Sequence, residues 1–234
     1  MTPAAARRIG LRFENIDKRY GGLYALRRVS LEITPGECVA LAGRNGSGKT
    51  TLLRIAAQLV RPSAGKLTFS PAQTEAAPSN RNTGFVAHAT MVYDELTAEE
   101  NLLLFARLLE IAKPAKRVEL LLRDVGLFER RDSLVRTFSR GMRQRVAIAR
   151  GLLHEPSVLL LDEPATGLDP QGVSWLAETL LRLRDAGSTI LMSLHGESEI
   201  SALATRAIRL DAGAVVADTR SGASLRSILT FANA

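Results

Sequence analysis

The run Gly43-Arg44-Asn45-Gly46-Ser47-Gly48-Lys49-Thr50 has the spacing G-x-x-x-x-G-K-[ST], and its residue types suit a chain of phosphates. Glycines let backbone amides close around phosphate oxygens, Lys49 supplies a point charge, and Thr50 can offer its hydroxyl to magnesium. Such a loop needs a strand before it and a helix after it, so that the helix N-terminus faces the anion. Both are legible here. Val39 to Ala42 is an apolar, strand-sized run, and after Thr50 the residues Leu52, Leu53, Ile55, Ala56 and Leu59 recur at helical spacing until Arg61-Pro62-Ser63. A glycine-rich turn that merely caps a helix is the plain alternative, and it leaves the lysine and threonine without a purpose.

A phosphate loop by itself does not separate kinases, GTPases, helicases and transport ATPases. A second constellation narrows the choice. Leu159-Leu160-Leu161-Asp162-Glu163 reads as a buried strand ending in two acids. One carboxylate, Asp162, suits a magnesium ion through water, and its neighbour Glu163 suits the role of base that orients an attacking water. Acidic residues simply leaving a strand would look the same without the phosphate loop beside them.

The elements that must position these groups alternate. Val29 to Ile33 has the apolar alternation of a half-buried strand, with a turn at Thr34-Pro35-Gly36 before Val39 to Ala42. Pro71 to Asn82 reads as a connecting loop. Thr97-Ala98-Glu99-Glu100 is a capping-box pattern leading into a helix from Asn101 to Ile111, which Pro114 ends before another helix near Val118 to Val125. A further helix follows Ser139 to about Leu153. Then come a strand at Val158 to Leu161, a helix near Val173 to Arg184, a strand at Thr189 to Leu194, a short helix near Ile200 and a strand at Arg206 to Leu210. Asp211-Ala212-Gly213 turns the chain into Val215-Val216. This rhythm predicts a mostly parallel sheet covered by helices.

Composition excludes several classes. With 234 residues, 46% of them hydrophobic and 24% charged, the chain can bury a proper core, and neither disorder nor a fibrous repeat fits. No uncharged apolar run approaches the roughly 18 residues that span a bilayer, and no apolar stretch of signal-peptide length follows the N-terminal arginines. Cys38 is the single cysteine and lies in an apolar run, which allows a reducing compartment. The net charge of +7 is spread without a polybasic block, so no nucleic-acid partner is expected.

Phe138-Ser139-Arg140-Gly141-Met142-Arg143-Gln144-Arg145, followed by Asp162-Glu163-Pro164-Ala165-Thr166-Gly167-Leu168-Asp169, resembles the signature and D-loop of ABC-type ATPases. The resemblance covers nearly the whole chain. It implies an α/β fold of the P-loop NTPase, RecA-like kind: one ABC nucleotide-binding domain over 1–234. Its core would span about 11–88 and 156–218, with an N-terminal antiparallel β part, a mainly helical signature subdomain at 89–155 and a tail at 219–234. It also implies ATP and Mg2+ as ligands, with Gly43 to Thr51 (Arg44, Asn45, Gly46, Ser47, Gly48, Lys49 and Thr50 between) on the nucleotide, and Thr50 and Asp162 on the metal. Tyr20 would stack on adenine, a position that is otherwise core or surface as often as functional. Glu163, His88 and His195 would be catalytic, His195 as a switch histidine whose plain alternative is structural.

In that family two cassettes pair head to tail, so Ser139 and Gly141 of one chain would complete the nucleotide site of the other, and Asp169 would organise the interface. Ser139 and Asp169 are also plausible helix N-caps, and the two roles are compatible. Departures are Arg140 and Met142, where the family usually has glycine and glutamine, and His88, where most members carry glutamine. Imidazole is a poorer ligand for magnesium than an amide oxygen, so His88 is read as positioning water or sensing the partner. His88 with the segment Val92 to Leu102 is similar to the CcmA branch, the ATPase of the haem-related cytochrome c maturation exporter. That similarity implies a second, identical cassette, integral membrane permease subunits and a peripheral place on the cytoplasmic face of the membrane. A multidrug, lipid or polysaccharide exporter subunit is the close alternative, and a non-transport ABC ATPase a more distant one.

Overall fold

A computed structural model describes residues 8–70, 82–194 and 200–230. Two sheets organise these residues. The first is antiparallel and three-stranded, in the order β2-β1-β4, built from β1 (Gly10–Tyr20), β2 (Leu23–Ile33) and β4 (Ala64–Ser70). The second has the order β5-β6-β7-β3-β8-β9, with β3 (Cys38–Ala42), β5 (Thr83–Val86), β6 (Val158–Asp162), β7 (Thr189–Ser193), β8 (Arg206–Asp211) and β9 (Ala214–Asp218). Its strands are parallel except for the β8–β9 hairpin.

Every residue of β3, β6 and β7 is buried, the mark of central strands covered on both faces. The side-chain period of two then divides the core. Val39, Leu41, Val158 and Leu160 pack with Leu11, Phe13 and Ile16 of the antiparallel sheet and with Leu52, Leu53 and Ile55 of helix α1 (Lys49–Ala56). Cys38, Ala40, Ala42, Leu159 and Leu161 face the opposite layer. That layer is built from α2 (Ala98–Leu108), α3 (Pro114–Asp124), α4 (Arg140–Gly151), α5 (Pro170–Asp185) and α6 (Leu225–Thr230).

The capping box appears as the sequence predicts. The Thr97 side chain accepts from the Glu100 amide, and the Glu100 carboxylate accepts from the Thr97 amide. Pro114 differs from expectation: α2 already ends at Leu108, and Pro114 opens α3 in its first turn, where a missing N–H costs nothing. The tail is also more than an appendage. α6 buries Ile228 and Leu229 in the same core as α4 and β7. The expected loop at 71–81 lies outside the described residues, as does His195.

This topology gathers chemistry at one edge. The phosphate loop leaves the carboxyl end of β3, Asp162 ends β6, and Ser193 ends β7 directly beside it in register. The carboxyl ends of parallel strands form the usual binding crevice of an open α/β sheet.

Candidate functional site

The phosphate loop folds through three glycines at positive φ, Gly43 (139°), Gly46 (80°) and Gly48 (108°). Two of them also permit close approach. A Cβ on Gly43 would lie 2.2 Å from the Leu210 carbonyl oxygen, and one on Gly48 would lie 2.6 Å from that of Ala25. Gly48 starts α1 with no side-chain cap, so the first amides of that helix are left for an anion. Lys49 is buried and donates from Nζ to the carbonyls of Gly43 (2.6 Å) and Arg44 (3.1 Å). Burial lowers its pKa, while the carboxylates of Glu163 and Asp162 oppose that shift. Ser47 Oγ is buried with no hydrogen-bond partner among the described residues, as expected of a hydroxyl that serves a ligand. Arg44, Asn45 and Gly46 are exposed along the loop, and Thr50 and Thr51 are half-buried in the first turn of α1.

Asp162 is buried, and its Oδ1 accepts from Ser193 Oγ at 2.7 Å. The same Ser193 oxygen accepts from the Glu163 amide at 2.9 Å. Glu163 sits at φ 54°, a left-handed conformation uncommon for a residue with a side chain and a known mark of functional positions. Its Oε2 lies 3.2 Å from Nδ1 of His88, which is itself about half exposed. The structure therefore brings Lys49, Asp162, Glu163 and His88 to one place. Ser193 was missed in the sequence, because only the β6–β7 register reveals it.

The set fits a nucleotide with magnesium. Among the described residues no three His, Cys, Asp or Glu side chains form a metal cluster, so Thr50 and Asp162 could hold magnesium only together with phosphate oxygens and water.

The signature segment forms a separate surface. Ser139 is the N-cap of α4, its side chain accepting from the Met142 amide at 3.3 Å. A Cβ on Gly141 would come within 2.8 Å of the Gly167 carbonyl oxygen, so α4 lies directly on the D-loop. Asp169 caps α5, accepting from the Gly172 amide at 3.0 Å and pairing with Arg145 at 3.2 Å. The Gly172 amide first, and Arg145 after it, hold the Asp169 pKa below the usual aspartate range. Ser139, Gly141, Arg145, Gly167 and Asp169 line an open cavity of about 360 Å³.

Tyr20 ends β1 at the tip of the β1–β2 hairpin, half exposed, with Lys18 Nζ 4.9 Å from its ring centre. The same hairpin reaches the phosphate loop through Ala25 and Leu26, which crowd Gly48. An available aromatic face is thus anchored to the element that supports the loop.

A glycine-lined loop at a helix start, a buried lysine and a paired acid at the end of β6, one strand removed from β3, define a P-loop ATP-binding protein of the α/β class. A profile of the ABC transporter family matches residues 26–166, more than half of the sequence. The chain is 37% identical over 212 residues to the Nod factor export ATP-binding protein I of Cupriavidus metallidurans, covering 89% of this chain and 70% of that protein. It is 40% identical over 197 residues to the ABC transporter ATP-binding protein NatA of Bacillus subtilis, covering 82% and 80%. Among solved structures, the ATP-binding cassette MJ0796, captured as a dimer in a post-hydrolysis state with ADP and Pi, superposes with a TM-score of 0.81 at 28% identity, over 89% of this chain and 97% of that one. The chain belongs to the ABC transporter ATP-binding family and is an ATP hydrolase.

Proposed function

We propose that this chain is the ATP-hydrolysing cassette of a membrane exporter and works as a pair of copies. The observation that carries the reading is the meeting of Lys49, Asp162 and Glu163 at the strand ends, with the signature residues on a separate surface. Residues 43–51 hold the phosphates of ATP, and Tyr20 stacks on its base. Thr50 and Asp162 would hold magnesium, which supplies charge neutralisation to the phosphates. Glu163 accepts a proton from the attacking water, His88 orients the Glu163 carboxylate, and His195 contacts the terminal phosphate. Ser139 and Gly141 of the second copy donate to that phosphate from their helix start, with Asp169 at the interface.

Among the described residues no helix is long and apolar enough to cross a membrane. Permease subunits therefore provide the path, and the cassette sits against them on the cytoplasmic face. The whole of 1–234 acts as one ATPase unit, with 89–155 as its helical part. Within the tail, α6 packs Ile228 and Leu229 into the core.

The Cupriavidus relative is named as a Nod factor export protein, and that name supports an exporter of the multidrug, lipid or polysaccharide kind as the first reading. A second reading, haem-related export in cytochrome c maturation, rests on the resemblance of His88 and the segment Val92 to Leu102. Stimulation of the purified permease complex by haem would select the second reading, and stimulation by lipid-like substrates alone the first.

Glu163→Gln tests the hydrolytic assignment. The variant should keep ATP affinity, lose on the order of 10²- to 10⁴-fold in kcat and accumulate as an ATP-bound dimer. Wild-type turnover would exclude Glu163 as the base.

A further inference from the structure

We propose that Gln144 is a positioning residue for hydrolysis: from α4 it fixes the backbone that presents Glu163, tying the base of one nucleotide site to the signature helix that serves the other. The inference rests on the paired-cassette reading above.

Gln144 is 3% exposed, and its Nε2 donates to the Pro164 carbonyl oxygen at 3.1 Å. A polar side chain so deeply buried needs its partner, because an unmade bond would leave the desolvation cost uncompensated. Pro164 immediately follows Glu163, whose left-handed backbone is held on its other side by Ser193 Oγ and closed by the Thr166 amide donating to the Glu163 carbonyl at 3.1 Å. A strained residue persists only where its surroundings over-determine it. Gln144 is the one of these restraints that comes from the signature helix.

Two further contacts make α4 and the 164–169 loop move as a unit. Gly141 lies against the Gly167 carbonyl, and Arg145 donates to Asp169 while also donating to the Val125 carbonyl at the end of α3. Displacement of α4, as its exposed N-terminus docks on a second copy, is thereby passed to Pro164 and to the carboxylate of Glu163 in the same chain. The effect is on geometry, where a shift of about 1 Å can cost on the order of 10²-fold in rate.

Gln144→Met keeps the volume and removes the donor. We expect kcat to fall on the order of tenfold with ATP affinity and KM within about twofold of wild type, and Gln144→Glu to fall further because a carboxylate would face the carbonyl. A lower melting temperature with unchanged kcat per folded molecule would overturn the proposal. A mixed dimer separates positioning from signature contact. One chain carries Glu163→Gln, so that only the other chain's Glu163 can act. Gln144→Met should then reduce turnover more when placed in the chain with the intact Glu163 than in its partner, and the reverse order would overturn the assignment. Wild-type turnover with Glu163→Gln in both chains would instead remove the reading on which the proposal rests.

Discussion

Two helices of this protein begin at glycine-marked segments, and they begin differently. α1 starts at Gly48 with no side-chain cap, behind a buried lysine and beside two carboxylates of its own chain. α4 starts at Ser139, which caps its own helix and lies exposed on an open cavity. The first helix start is finished from inside: strands β2, β3 and β8 close on the loop, and no side chain caps the first amides of α1. The second leaves the Ser139 hydroxyl exposed at its start, with Gly141 packed on the D-loop behind it. The difference is the one the proposed pairing requires, in which one chain carries two unlike halves of a site, one to hold a ligand and one to meet a ligand held by a second copy.

The largest expected effect falls in the first half, where Glu163→Gln should cut turnover on the order of 10²- to 10⁴-fold while sparing binding, as measured by steady-state hydrolysis beside nucleotide titration. Next comes a control away from both halves. At the opposite end of β8 from the phosphate loop, buried Arg206 pairs with Asp218 and Glu37, and Arg220 adds a second cation. Burial pushes the Asp218 pKa up, but the hydrogen bonds from Arg206 and the Arg220 amide outweigh it, and the net shift is downward. A depressed carboxyl pKa contributes stability that is present above the unfolded value of about 3.9 and lost as pH falls through the folded value. Asp218→Asn should therefore cost about 1–3 kcal/mol at neutral pH, and the gap in melting temperature to wild type should close as pH falls below about 4. Nucleotide affinity at neutral pH should not follow it.

The smallest expected effect is the most discriminating. Thr97 and Ser139 are both N-caps, and alanine at either should cost about 1 kcal/mol in thermal or denaturant unfolding. Only Ser139→Ala should also lower kcat, on the order of tenfold. Equal activity in the two variants would reduce Ser139 to a cap.

Much of this was legible in the sequence because it is local. Phosphate-loop spacing, the apolar run before it, the capping box at Thr97 and the acids at 162 and 163 each announce themselves within a few residues. What was not legible depends on partners far along the chain. Ser193 matters through its register with Asp162, and Gln144 through a bond to a carbonyl twenty residues away. β1 was hidden by its own irregularity, since Asn15 at φ 48° breaks the alternation and shifts the pairing with β2. α6 is too short for a strong helical period, and its place is set by burial of Ile228 and Leu229 rather than by propensity.

The central claim is that a working site takes one half from each of two chains, and complementation tests it most directly. Lys49→Ala removes the phosphate half and Ser139→Arg obstructs the signature half, so each variant alone should be nearly inactive. Mixed, the two chains can form a dimer in which an intact Lys49 faces an intact Ser139. ATP hydrolysis by the mixture well above the sum of the separate variants is the predicted result. Hydrolysis no greater than that sum, with mixed dimers demonstrably formed, would contradict the account.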